Sequence, residues 1–172
     1  MNTNMVLIKE KKQEIEAKTV DILETYYGYI ENIKPPIKAS AILDQTGLKI
    51  LQAKFKDENV SGYYNKQEKK IYVSSSENIR RQIFTIAHEL GHFYLHSDLG
   101  EETFYRQQAL NLSGETNERE QEANLFAASL LMPKKLVEIY WGYSHDWEEM
   151  ANIFIVSKTA MFFRLKNLGL IA

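Results

Sequence analysis

The chain contains no cysteine. That excludes disulfide staples and thiolate metal sites, and it fits a reducing cytosol. Proline is scarce: Pro35, Pro36 and Pro133 are the three in 172 residues, and each falls where a helical pattern breaks. Neither charge sign dominates, with 21 Lys and Arg against 23 Asp and Glu for a net charge of −2. A strong nonspecific nucleic-acid binder would carry a clear positive excess, so that class is disfavoured. Long apolar runs are missing too. Met5-Val6-Leu7-Ile8 gives way at once to charged residues, too short a stretch for a signal peptide or a membrane span. A cytoplasmic protein with no membrane association is expected.

The remaining composition is that of an ordinary folded chain, 44% hydrophobic and 26% charged, which argues against wholesale disorder and allows one well-filled core with a small appendage. Ile15, Thr19, Ile22, Leu23, Tyr26, Tyr27 and Ile30 recur at helical spacing, which predicts an amphipathic helix over 9–31, ended by Pro35-Pro36. A short helix over 39–45 closes at Gly47. The rhythm then changes. Leu51, Ala53 and Phe55 alternate with polar residues, and 60–65 and 70–74 read as two further strands. Together they predict a small antiparallel sheet of three strands, with 60–65 or 70–74 as an edge able to hold an extended peptide or simply to cover the next helix.

The most informative run follows that sheet. His88-Glu89-Leu90-Gly91-His92 spells His-Glu-x-x-His inside a segment, about 77–96, that reads as a helix. Two histidines four residues apart lie one turn above each other on the same face, so both imidazoles can reach one ion. Glu89 stands beside them, placed to act on a water at that ion. Zinc suits imidazole nitrogen and keeps an open tetrahedral position for hydrolysis, which makes this a metalloprotease motif.

Catalytic zinc normally has three protein ligands and a water. On a continuous helix His96 lies about 12 Å along the axis from His88, too far for both to share one ion with His92. His145 falls in an irregular stretch. Carboxylates are better placed: Glu118, Glu120 and Glu122 open the next helix, about 117–131, whose apolar face carries Ala123, Phe126, Ala127, Leu130 and Leu131. Acidic residues at a helix start also simply favour the dipole, so the residues alone leave the choice open. The polar connector over 97–116 is the one long loop and is expected to flank the site.

The stretches Phe84-Thr85-Ile86-Ala87-His88-Glu89-Leu90-Gly91-His92 and Glu122-Ala123-Asn124-Leu125-Phe126-Ala127-Ala128-Ser129-Leu130-Leu131-Met132-Pro133 resemble the ImmA/IrrE family of metallopeptidases. Val60-Ser61-Gly62, Arg81-Gln82 and the tail from Ala151 to Leu170 extend the resemblance over nearly the whole chain. It implies an α+β, mostly helical zincin-like fold. It also implies a zinc ion (Zn2+) held by His88, His92 and Glu122, with Glu89 as the general base. The glutamate before Ala-Asn is the ligand in that reading. Many zincins place an Asp four residues after the ligand Glu to orient the first histidine. Four residues after Glu122 stands Phe126, so the orienting partner must come from elsewhere, with Asn124 and Glu118 as candidates. If Glu118 were the ligand, Glu122 would take the orienting position. Tyr94, Tyr140, Tyr143 and His145 are the residue types available to stabilise an oxyanion.

A domain boundary is expected near 140, with residues 141–172 as a helical appendage. Within it, 147–154, 155–157 and 158–167 have the outline of a helix-turn-helix. Its charges are balanced, and Met161, Phe162 and Phe163 suit packing better than phosphate contact, so DNA binding is not expected. The family resemblance implies a protease that cleaves a helix-turn-helix repressor protein and so releases mobile-element, prophage or stress-response genes. The rival classes are a non-proteolytic regulator that binds DNA or a protein, and a toxin–antitoxin component. An intact Glu89 favours the enzyme, because a pure binder has no need of it.

Overall fold

In the computed structural model, residues 3–97, 103–107 and 118–172 are described. The chain divides into two compact units, Met1–Ile37 with Ala128–Ala172, and Lys38–Ala127. The boundary expected near 140 falls inside the first of these.

In the first unit, α1 (Thr3–Tyr27) ends where Gly28 adopts φ +82°, one turn before the expected end. Glycine enters the left-handed region without a Cβ penalty, so it stops the helix before Pro35-Pro36 is reached. Ile15, Thr19, Ile22 and Leu23 are buried along one stripe of α1, the face predicted by their spacing. Three further complete helices of this unit follow the second unit in the chain, and the last two are the helix-turn-helix-like pair.

The second unit opens with α2 (Ala39–Thr46), closed by Gly47 at φ +74°. Strands β1 (Lys49–Ala53), β2 (Val60–Asn65), β3 (Lys70–Ser74) and β4 (Thr103–Gln107) form one sheet in the order β1-β3-β2-β4. The expectation of three antiparallel strands is corrected in two ways. First, β1 pairs with β3 in parallel, Lys49 opposite Lys70 and Ala53 opposite Ser74. The segment between β1 and β2 carries the chain past β3, so the β2–β3 hairpin lands with β3, not β2, beside β1. Second, β4 adds a strand antiparallel to β2 from within the segment read as connector. Segments 60–65 and 70–74 are therefore interior strands, and the sheet edges are β1 and β4. Residues 98–102 and 108–117 of that expected connector lie outside the described residues.

One sheet face carries Gly62, Tyr64, Ile71 and Val73, with Gly62 opposite Val73 and Tyr64 opposite Ile71. It packs on α3 (Ile79–His96), where Tyr64 meets Phe93 edge-on at 5.9 Å. Gly62 is needed for the contact: a Cβ there would stand 2.5 Å from the Tyr72 carbonyl oxygen and 2.6 Å from the Thr85 methyl. The opposite face stacks Tyr63 on Tyr72 at 4.8 Å. Helix α3 starts cleanly because the Asn78 side chain accepts from the Arg81 backbone N–H at 3.1 Å.

Helix α4 (Glu118–Leu131) follows, then α5 (Lys134–Ser144), α6 (Trp147–Ile153) and α7 (Lys158–Asn167). Asp146 caps α6 and Ser157 caps α7 through their side-chain oxygens. Between them Ile155 takes φ +51°, which makes the sharp turn the sequence outlined at 155–157. Within the first unit Arg164 of α7, only 3% exposed, donates from Nε to the Met132 carbonyl and pairs both terminal guanidinium nitrogens with Glu16 of α1. No described helix is long and apolar enough to cross a membrane.

Candidate metal centre

Helix α3 delivers His88, Glu89 and His92, all buried to 1% exposure or less. The four-residue spacing brings Nε2 of His88 and Nε2 of His92 within 3.1 Å of each other. Helix α4 lies against this face because residue 91 is a glycine: a Cβ there would meet the backbone of Ala123. From that close approach α4 reaches over the histidine pair with two side chains, Glu120 and Asn124.

Glu120 is the carboxylate at the pair. Its Oε2 stands 3.2 Å from Nε2 of His88 and its Oε1 stands 3.1 Å from Nε2 of His92. Glu122, the residue implied by resemblance, is directed elsewhere, with Oε2 2.9 Å from Nε2 of His96. His88, His92 and Glu120 are the group whose ligand atoms converge among the described residues. The reason is helical geometry. Positions two apart on a helix project about 200° apart, so Glu120 and Glu122 leave α4 on different sides. The available signal was the zincin spacing itself: Asn124, not Phe126, stands four residues after the carboxylate at the pair.

Asn124 completes that spacing. Its Oδ1 lies 3.0 Å from Nδ1 of His88 and is an acceptor, so the His88 ring carries its proton on Nδ1. The lone pair of Nε2 is then aimed at Glu120 and His92. Asn124 was one of the two orienting partners expected from sequence. Glu118, the other, is exposed at the start of α4.

The donor set fits a small divalent cation. A tetrahedral site with bonds of about 2.0–2.1 Å places its ligand atoms about 3.3–3.4 Å apart. The separations here, 3.1 Å between the imidazoles and 3.1–3.2 Å to the carboxylate, are close to that edge. Two imidazole lone pairs and a carboxylate repel one another unless a cation lies among them. For His96, burial pushes the ring below the usual histidine value and outweighs the raising effect of Glu122. The side chain of Glu120 is 28% exposed while both histidines are sealed, so the set meets solvent on the carboxylate side.

Of the expected oxyanion candidates, Tyr94 and Tyr140 pack against aromatic rings, and Tyr143 and His145 are exposed. Tyr94 stacks on Phe126 at 5.8 Å, Tyr140 meets Phe154 edge-on, and His145 lies against Trp141, while Tyr143 is 85% exposed.

A mixed α+β fold with a His-Glu-x-x-His helix and a carboxylate delivered by a second helix is of the zincin-like fold class. Residues 43–166 match the peptidase family described as the IrrE N-terminal-like domain, and the chain belongs to the ImmA/IrrE family. Among its relatives is the metallopeptidase ImmA of Bacillus subtilis, 30% identical over 109 residues. That match spans 62% of this chain and 62% of the length of the relative. Among solved structures, a transcriptional regulator of Mycobacterium tuberculosis superposes with a TM-score of 0.66 at 17% identity. The superposition covers 89% of this chain and 46% of the regulator, and the likeness is one of fold.

Proposed function

We propose that the protein is a zinc-dependent endopeptidase whose substrate is a helix-turn-helix transcriptional repressor, cleaved to release mobile-element, prophage or stress-response genes. The observation that carries the enzymatic part is the convergence of His88, His92 and Glu120 on one point, beside Glu89. The repressor as substrate rests on the family resemblance.

In this reading His88, His92 and Glu120 hold the ion. Bound there, zinc would supply a Lewis acid and bring a water's pKa toward about 7. The chain's own residues do the rest. Asn124 fixes the tautomer of His88, keeping Nε2 free to ligate. Glu89, next to His88 on α3, takes the proton of the attacking water as general base. It returns that proton to the amine as the peptide bond breaks. Burial of both histidines keeps bulk water away from the inner side of the site, which strengthens each electrostatic contact there.

The test is a co-expression experiment. A candidate repressor encoded beside this protein is produced with wild type or with Glu89→Gln, and its length is followed by immunoblot and intact mass. Cleavage by wild type and an intact repressor with Glu89→Gln, both chains retaining zinc, is the expected result. Equal cleavage by the two would overturn the role given to Glu89.

A further inference from the structure

We infer that Glu122 and His96 form a two-step relay that sets the tautomer and orientation of His92, making both of them positioning residues for the metal centre. The inference rests on the zinc reading above and deepens it.

A neutral imidazole has one N–H and one lone pair. To present Nε2 to an ion, His92 must carry its proton on Nδ1, and that proton needs an acceptor in a place where water is excluded. For His88 the acceptor is the Asn124 amide oxygen. For His92 the neighbour is another imidazole: Nδ1 of His96 lies 3.1 Å from Nδ1 of His92. Both rings are sealed, His92 at 1% and His96 at 3% exposure. An imidazole nitrogen accepts only if its ring's proton sits on the other nitrogen. Glu122 settles that. Its Oε2 is 2.9 Å from Nε2 of His96, and an ionised carboxylate only accepts, so the His96 proton is held on Nε2. Nδ1 of His96 is then a lone pair aimed at the Nδ1–H of His92, and Nε2 of His92 faces His88 and Glu120. Every hydrogen in the chain Glu122–His96–His92 has one consistent position.

The four-residue step that places His92 over His88 also places His96 over His92, so α3 supplies both rings of the relay and α4 supplies the carboxylate. Glu120 and Glu122 thus divide the work. One faces the ligand nitrogens, and the other acts on the ring behind them. A carboxylate reaching a ligating histidine through a second imidazole should strengthen that ligand as direct orienting partners do, by about 10–100-fold in metal affinity.

The experiment measures zinc affinity by competition with a chromophoric chelator for wild type, Glu122→Ala, Glu122→Gln and Glu120→Ala, with melting temperatures of the metal-free chains alongside. The relay predicts that Glu122→Ala still binds one zinc but about tenfold or more weakly. Glu122→Gln, whose amide oxygen can still accept from His96, should recover part of that loss. Two-bond 1H–15N spectra of the zinc-loaded wild type should show His92 protonated on Nδ1 and His96 on Nε2. Zinc affinity of Glu122→Ala within twofold of wild type would overturn the relay, as would His96 protonated on Nδ1. Complete loss of zinc in Glu122→Ala with normal binding in Glu120→Ala would make Glu122 a ligand and overturn it too. A wild type that binds no zinc would instead overturn the metal reading on which the relay stands.

Discussion

Gly91 of α3 faces Ala123 of α4 so closely that a Cβ at residue 91 would stand 3.0 Å from the Ala123 Cα and 3.2 Å from its carbonyl oxygen. This contact sets how near α4 comes to the histidine pair, and Glu120 and Asn124 lie within one turn of Ala123 on α4. The glycine inside the motif is therefore part of the metal centre although it offers no ligand.

Gly91→Ala should separate the two helices by a few tenths of an ångström. Overpacking of this kind costs about 1–3 kcal/mol, and removing a glycine from a helix interior returns up to about 1 kcal/mol. A small net loss of stability is expected. Zinc affinity should fall further than stability does, because the carboxylate and the amide move away from the histidines together. Thermal melting of the metal-free chain and a zinc competition titration check this. Unchanged affinity would show that the helix spacing has slack.

Asn124→Ala removes the acceptor for the Nδ1–H of His88. Zinc affinity is expected to fall about 10–100-fold with stoichiometry retained. Asn124→Asp keeps an acceptor at the same place and should stay near wild type. Equal weakening by both changes would assign Asn124 to packing between α3 and α4.

The Glu16–Arg164 pair makes a prediction about stability and pH. Burial alone would raise the Glu16 carboxyl, but hydrogen bonds and charge from Arg164 outweigh this and lower it. A group lowered on folding stabilises above its unfolded value and loses that contribution as pH falls through its folded value. At pH 7, Glu16→Gln should cost about 2–4 kcal/mol, since it leaves the buried Arg164 charge without its counter-ion. The Glu16 side chain is 26% exposed, which favours the lower end of that range. The gap between wild type and variant should shrink below about pH 4, as Glu16 itself becomes protonated. Denaturant midpoints for both chains across this range give the gap directly. A gap that stayed constant down to pH 2 would contradict the assignment.

The elements most legible in the sequence are those with local causes. His88, Glu89 and His92 announce their helix and their chemistry by spacing, and Asp146, Ser157 and the turn at Ile155 announce the α6–α7 pair. Gly28 is the local stop of α1, and Pro35-Pro36, the more conspicuous breaker, lies beyond the point where the helix has already ended. The parallel pairing of β1 with β3 is a non-local choice that strand periodicity does not encode. Leu51 even points outward, at 40% exposure, against the alternation that marked it as inward. Strand β4 pairs through its backbone with β2, and Thr103–Gln107 carries too little alternation to stand out. At the metal centre three glutamates share the first turns of α4. The four-residue step from Glu120 to Asn124 is the signal in the sequence for which of them meets the histidines, and the packing of α4 on Gly91 realises it.

The central claim is that Glu120 is the third ligand of a zinc site completed by His88 and His92. The most direct measurement is the zinc content, by elemental mass spectrometry, of wild type and Glu120→Ala purified without added metal and shown by circular dichroism to be folded. The account predicts close to one zinc per chain for wild type and almost none for Glu120→Ala. A folded Glu120→Ala that retained one zinc would contradict it.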